Sequence, residues 1–167
     1  MIKIRQIREE DAENFLAMLK MLDNETTFMM YEPGERTTTI EQQQERIREI
    51  LSKDYQATFV AEDDGWIVGY LAARGGELSR IRHRTYIVVG IIKEFRGRGV
   101  GKKLFDEMEK WARAKKMHRL ELTVMVSNER GIRLYQKMGF EFEGVRKDSM
   151  LVEGEYIDEY NMFKLLD

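Results

Sequence analysis

The sequence contains no cysteine among its 167 residues. Disulfides, thiolate nucleophiles and cysteine-based metal sites are therefore excluded. Only two histidines occur, His83 and His118, and neither has a partner at metal-ligand or catalytic-triad spacing, so both are expected to be structural or exposed. Long apolar runs are missing as well. The longest spans seven residues, Tyr86 to Ile92, far short of the roughly 20 that a membrane helix needs. The start, Met1-Ile2-Lys3-Ile4-Arg5, lacks the apolar stretch of a signal peptide. Charge of one sign is not in excess: 28 Lys and Arg stand against 30 Asp and Glu, for a net of −2. Nothing in that balance points to a nucleic acid or to a membrane surface. The expectation is a single domain over residues 1–167, cytoplasmic and free of membrane.

Apolar spacing predicts the elements. Alternation at Ile2, Ile4 and Ile7 suggests a first strand. Asp11 is placed to cap a helix with the stripe Phe15, Leu16, Met18, Leu19 and Leu22. Residues 23–38 hold the only proline, Pro33, with several Thr and Glu, and read as a mobile connection. Thr39 and Gln42 form a capping-box pattern for a helix buried through Ile40, Ile47, Ile50 and Leu51. Strands follow near 57–62 and 66–73, joined by Asp64-Gly65, a pair suited to a tight hairpin. A loop over 74–82 precedes the strand Tyr86 to Ile92, and a helix runs to about Lys115. Leu120, Leu122, Val124 and Val126 mark another strand. Ser127 or Asn128 caps a helix that Gly139 stops. Two final strands, near 140–151 and 156–165, meet at Glu153-Gly154. This order implies an α/β fold with a mixed sheet.

The segment Arg96-Gly97-Arg98-Gly99-Val100-Gly101 lies where the apolar period changes from strand to helix. Such a turn aims backbone N–H groups and the positive end of a helix dipole at one point, which makes an anion site. It is not a Walker loop, because Lys102 is followed by Lys103 and the glycine spacing is wrong. Nor is it a dinucleotide fingerprint, since Gly97, Gly99 and Gly101 alternate strictly. Its cations, Arg96, Arg98, Lys102 and Lys103, would oppose the helix dipole unless an anion balanced them.

The segment resembles the acetyl-CoA pyrophosphate loop of the GNAT superfamily of N-acetyltransferases, whose pattern Arg/Gln-x-x-Gly-x-Gly/Ala is met by Arg96, Gly99 and Gly101. The likeness extends to Asn128, Leu134-Tyr135 and Lys137-Met138-Gly139-Phe140, in family order. It implies a mixed, mostly antiparallel sheet of about seven strands with flanking helices and a splayed strand pair that binds acetyl-CoA. It implies that amides from Gly97 through Val100 to Lys102 hold the pyrophosphate, with Gly97, Gly99 and Gly101 allowing close approach. Val89, Gly90 and Ile91 match the strand that bonds the pantetheine arm, and an N–H near Ile91 could stabilise the oxyanion. Lys93 stands where relatives often have Pro.

By the same resemblance, Asn128 contacts CoA and Tyr135 reaches its sulfur. Tyr135 follows Asn128 by seven residues, two helical turns, and so shares its face. A phenol suits protonation of the departing thiolate, because both groups have pKa values near ten. Gly131 falls where relatives usually carry Ala. Some relatives use a Glu as general base where this chain has Thr123, which cannot serve. Glu121, on the same strand face, is the candidate base acting through a water. Glu32 and Tyr31, with Glu35 nearby, are candidates for the acceptor site. The resemblance thus implies direct acetyl transfer to a small amine, polyamine or peptide N-terminus. No metal is required, and a homodimer would fit the family. Acids in the 154–160 stretch, with Glu32 and Glu35, hint at a cationic acceptor. The missing Glu at position 123 motivates an alternative, a catalytically idle CoA-binding module.

Overall fold

Two hairpin turns of one kind lock the register of the sheet at either end of the chain. In the computed structural model, which describes all residues from Met1 to Asp167, Asp64 and Gly65 have φ of 51° and 84°, and Glu153 and Gly154 have 50° and 80°. Positive φ at both central residues gives the turn whose twist matches paired strands. The first joins β2 (Gln56–Asp63) to β3 (Trp66–Gly75), and the second joins β6 (Glu141–Val152) to β7 (Glu155–Leu165). The remaining elements are β1 (Lys3–Gln6), α1 (Ala12–Glu25), α2 (Ile40–Leu51), β4 (Arg84–Ile91), α3 (Val100–Ala114), β5 (Arg119–Met125) and α4 (Glu129–Lys137). All seven strands form one sheet in the order β1-β2-β3-β4-β5-β7-β6. The α/β order and the mostly antiparallel mixed sheet agree with the expectation. No helix is long and apolar enough to cross a membrane.

Only β4 and β5 run parallel, and their ladder is short. It holds Arg84↔Arg119, Thr85↔Leu120 and Tyr86↔Glu121 and then stops. Beyond it β4 stays paired with β3 as far as Ile91↔Gly69, and β5 stays paired with β7 as far as Met125↔Glu159. The two central strands therefore fork. At the fork the Tyr86 hydroxyl and the Thr123 hydroxyl share a hydrogen bond of 2.7 Å.

Helix α3 buries Val100, Leu104, Phe105, Met108 and Ala112, the stripe that helical spacing predicts. It packs on β1 to β4, while α1 and α2 pack on each other and on β3 and β2 respectively. All five residues of the α1 stripe are buried. In α2 only Ile47 of the predicted apolar positions is fully buried. Ile40 and Leu51, its first and last residues, are 39% and 49% exposed, and Gln43 takes an inward position instead. The capping box is present, with the Gln42 N–H donating to Thr39 Oγ1 and the Thr39 N–H donating to Gln42 Oε1.

Two local expectations change. Asp11 does not cap α1. Its carboxylate accepts the Arg8 N–H at 2.7 Å and both terminal nitrogens of Arg5 at 2.7 and 2.9 Å, and so closes the short turn before the helix. Burial alone would raise its pKa, but Arg5 and the Arg8 amide outweigh that and hold the carboxyl below its ordinary value. Residues 23–38 begin inside a helix and are then tethered, though without helix or strand from Thr26 to Thr39. Helix α1 continues to Glu25, and Arg36 folds back onto Asp23 with bonds of 2.7 and 3.1 Å.

One buried group lacks a partner. Thr85 on β4 is fully buried, and its hydroxyl finds no hydrogen bond. Valine has nearly the same shape without the desolvated oxygen, so Thr85→Val should stabilise the fold by about 1 kcal/mol. Thermal unfolding checks this; a lower melting temperature would show that the hydroxyl is satisfied in solution.

Candidate functional site

The glycine loop between β4 and α3 is shaped for backbone donation. Gly97 and Gly99 have φ of 73° and 77°, with open space where a Cβ would stand. Their role is conformational, because side chains are strained in that region. None of the N–H groups from Gly97 to Lys102 meets an acceptor within the chain. They belong to the loop and to the unsatisfied first turn of α3, which is a favourable place for an anion. Gly101 has a different job. A Cβ there would lie 2.7 Å from Leu134 Cδ2 and 3.4 Å from Ile91 Cδ1, so its bareness lets α3 pack against α4 and β4. Val100 is buried and offers only its amide.

The loop cations are less free than their sequence suggests. Arg96 donates from Nε to the Ile91 carbonyl at 3.0 Å and so clamps the loop to the end of β4. Arg98 lies over the Phe95 ring at 4.8 Å. Lys102 pairs with Asp106 at 2.7 Å. At Lys93 the backbone N–H, which a proline would lack, donates to Glu25 Oε1 at 3.0 Å, and a short helical turn begins there.

The fork exposes one edge of β4. The Ile92 N–H donates to Val68 on β3. Because backbone groups alternate along an antiparallel strand, those of Gly90 also face β3, while those of Val89 and Ile91 face the fork. The Arg96 bond to the Ile91 carbonyl agrees with this. Gly90 is bare for packing: a Cβ would come 2.8 Å from Leu22 Cδ1 and 3.0 Å from Tyr70 Cε1.

A cavity of about 470 Å³ opens from the fork, lined by residues of α1, α2, the 28–36 segment, β2 to β5, and β7. Tyr135 stands in its wall, 8% exposed and edge-on to Phe105 and Phe140. Its hydroxyl meets no protein partner among the hydrogen bonds of the chain. Burial, reinforced by the phenols of Tyr70 and Tyr86, pushes its pKa well above the ordinary tyrosine value. It therefore remains protonated across the neutral range, but the shift removes the near-match with a thiol that an ordinary phenol offers, so its proton transfer to sulfur is uphill. Tyr70, also buried in the wall, is pushed up to about 12 by the same cause. Asn128 lines the cavity while capping α4, with its Oδ1 accepting the Gly131 N–H at 2.9 Å. A Cβ at Gly131 would meet Asn128 Nδ2 at 2.6 Å, so the glycine makes room for the cap itself.

The structure separates the carboxylate candidates. Glu121 does not line the cavity. It sits where β4 and β5 are still paired, and its carboxylate accepts from Arg119 Nε at 2.8 Å. Glu32 is exposed and also outside the lining, as is Glu35. Tyr31 does line it, with the Arg36 guanidinium 4.2 Å above its ring. Glu159 is the carboxylate that the cavity contains. It accepts the Ser149 hydroxyl at 2.9 Å and is 12% exposed. The sequence marks it only as one of the acids of the 154–160 stretch, because the pairing Met125↔Glu159 that carries it to the fork is not visible there. Arg46 and Arg74, also in the lining, were likewise not singled out. His83 and His118 lie elsewhere, their rings 6.4 Å apart.

Comparison with known proteins agrees with this geometry. Residues 16–140 match the acetyltransferase (GNAT) family. The L-amino acid N-acetyltransferase AaaT of Escherichia coli K12 is 36% identical over 110 residues, covering 64% of this chain and 66% of that protein, a little under two thirds of its length. The spermidine N(1)-acetyltransferase of the same organism is 24% identical over 162 residues, covering 96% of this chain and 84% of that protein. A GNAT-family acetyltransferase structure from Streptococcus pneumoniae superposes with a TM-score of 0.95 at 32% identity, covering 99% of this chain and all of that one.

The wall beside the cavity rests on the Asp23–Arg36 pair, whose side chains are 2% and 8% exposed. Arg36→Met leaves a buried carboxylate unpaired and should cost about 3 kcal/mol. Adding Asp23→Leu should recover part of that loss in denaturant melts; equal losses in the single and double variants would show that the pair does not matter.

Proposed function

Because the chain belongs to the acetyltransferase (GNAT) family, we propose that it moves an acetyl group from acetyl-CoA to a primary amine. The observation that carries this reading is the fork. Its free β4 edge runs from Val89, which lines the cavity with Tyr135, toward the loop whose amides from Gly97 to Lys102 have no acceptor in the chain. The amides take the pyrophosphate, and the outward-facing N–H of Ile91 and C=O of Val89 take the pantetheine arm as a partner strand would, the Ile91 carbonyl being held by Arg96. Asn128 Nδ2, left free by the cap, is a further donor to it.

The neutral amine attacks the thioester carbonyl carbon, and the C=O electron pair moves onto oxygen, which an outward-facing β4 amide at the cavity, that of Val89, stabilises. Collapse of that adduct breaks the C–S bond, and Tyr135 gives its proton to the departing sulfur. The nitrogen loses its extra proton through water. Glu159 is the base at the far side of that water, in preference to Glu121, which Arg119 occupies outside the cavity. The phenolate then recovers its proton, so the products are the N-acetyl amine and free CoA. No residue is acylated, as suits a chain without cysteine.

A second reading has its own observation. Thr123, bonded to Tyr86, stands where some relatives carry the base. An idle CoA-binding module would bind acetyl-CoA and release no thiol with any amine.

Free-thiol release from acetyl-CoA across an amine panel tests the proposal. Tyr135→Phe should lower kcat by about 100-fold or more while acetyl-CoA still raises the melting temperature. Unchanged kcat would remove Tyr135 from the chemistry. In native protein the rate should rise with pH as the acceptor loses its proton. Because the Tyr135 pKa is raised, the phenol stays protonated, and no falling limb should appear below about pH 10. A descending limb near neutrality, absent from Tyr135→Phe, would contradict the raised pKa while keeping Tyr135 as the acid.

A further inference from the structure

The charged residues lining the cavity are Arg36, Arg46, Arg74 and Glu159. Their pairing differs. Arg36 is neutralised by Asp23 at 2.7 Å. Glu159 has the Ser149 hydroxyl and, more distantly, Arg146 at 3.7 Å. Arg46 makes one weak contact, from Nη1 to the Thr38 hydroxyl at 3.4 Å, and no ion pair. Arg74 makes neither a hydrogen bond nor an ion pair, although it reaches the same cavity.

These two guanidiniums belong to one corner. Arg46 lies one turn before Ile50 on α2, and Ile50 also lines the cavity. Helix α2 packs on β2, whose first residue, Gln56, lines the cavity too and is the register partner of Arg74. Glu159 stands instead beyond the fork, opposite Met125 on β5. Along the sheet, Arg74 and Glu159 are separated by β4 and β5. The cavity is therefore polar in two senses, with two exposed guanidiniums that have no ion-pair partner at its α2/β3 corner and a carboxylate on the β7 side. Largely apolar walls lie between, including Leu19, Phe28, Met29 and Met30.

We propose that the acceptor is a primary amine that also carries a carboxylate, bound by Arg46 and Arg74 while its amine faces the fork. This rests on the acetyl-transfer reading and narrows its substrate. A guanidinium offers a planar pair of donors that fits a carboxylate. A polyamine would bring a second ammonium toward two unpaired cations, an arrangement that selects against it. Of the acids that hint in the sequence at a cationic acceptor, Glu32 and Glu35 are exposed and stand outside the cavity, while Glu159 of the 154–160 stretch lines it on the side where the amine is placed.

The test uses pairs of primary amines that differ only in ending as a carboxylate or a carboxamide, one to five carbons from the amine, with spermidine as control. At the best spacing the carboxylate should be favoured in kcat/KM by about tenfold or more. Arg46→Gln and Arg74→Gln should each bring that ratio toward one, and Arg74→Glu should reverse it. A native protein that uses the carboxamide or spermidine as well as the carboxylate overturns the inference and leaves acetyl transfer standing. If no amine is acetylated, calorimetry of the same pairs on CoA-loaded protein decides. Carboxylate-selective binding upholds the carboxylate site and overturns the enzymatic reading; equal or absent binding overturns both.

Discussion

A parallel ladder that stops after Tyr86↔Glu121 is the constraint on which the rest of the structure depends. Unpaired backbone in the middle of a sheet is costly, because each N–H and C=O must find another partner. The chain supports the fork by holding each arm from its far side, β4 through β3 and β5 through β7. The Tyr86–Thr123 hydrogen bond fastens its base. With both arms fixed, the free edge of β4 points at one gap, and the gap leads into the cavity.

The charges around this gap are arranged by what already engages them. Arg96 would read as an anion ligand, but it anchors the loop to the Ile91 carbonyl. Lys102 is paired within α3. The loop thus offers oriented amides, and the helix end supplies the field. Tyr135 shows the same economy. Its ring packs against Phe105 and Phe140, and the burial that stabilises the packing also keeps the hydroxyl protonated. Structure and reactivity share one cause there.

What could be read from the chain was what depends on near neighbours. The Thr39–Gln42 box, the Asp64-Gly65 and Glu153-Gly154 turns, the Asn128 cap and the glycine loop are each decided within a few residues. Resemblance to a family then ordered these pieces into a sheet with a fork. Contacts between distant residues were not legible. Asp11 fits a cap locally, yet Arg5 and the Arg8 amide claim it. Glu121 shares a face with Thr123, but the ladder has not yet opened at its level. Glu159 reaches the cavity through strand register, and Gly101 is bare because of Leu134 on another helix. Alternation and capping rules carry no information about such pairings.

The Asp23–Arg36 bridge has a mechanical consequence. Asp23 is the chain neighbour of Leu22, whose Cδ1 fills the space that a side chain at Gly90 would need. The bond that secures this part of the cavity wall is therefore one residue from the contact that seats α1 against β4. Pulling the wall outward strains the strand whose outer edge faces the fork, and a shift in that strand presses back on the wall. The two substrates would thus be gauged against a common datum. A change at Asp23 or Arg36 would therefore be felt on both sides of the gap.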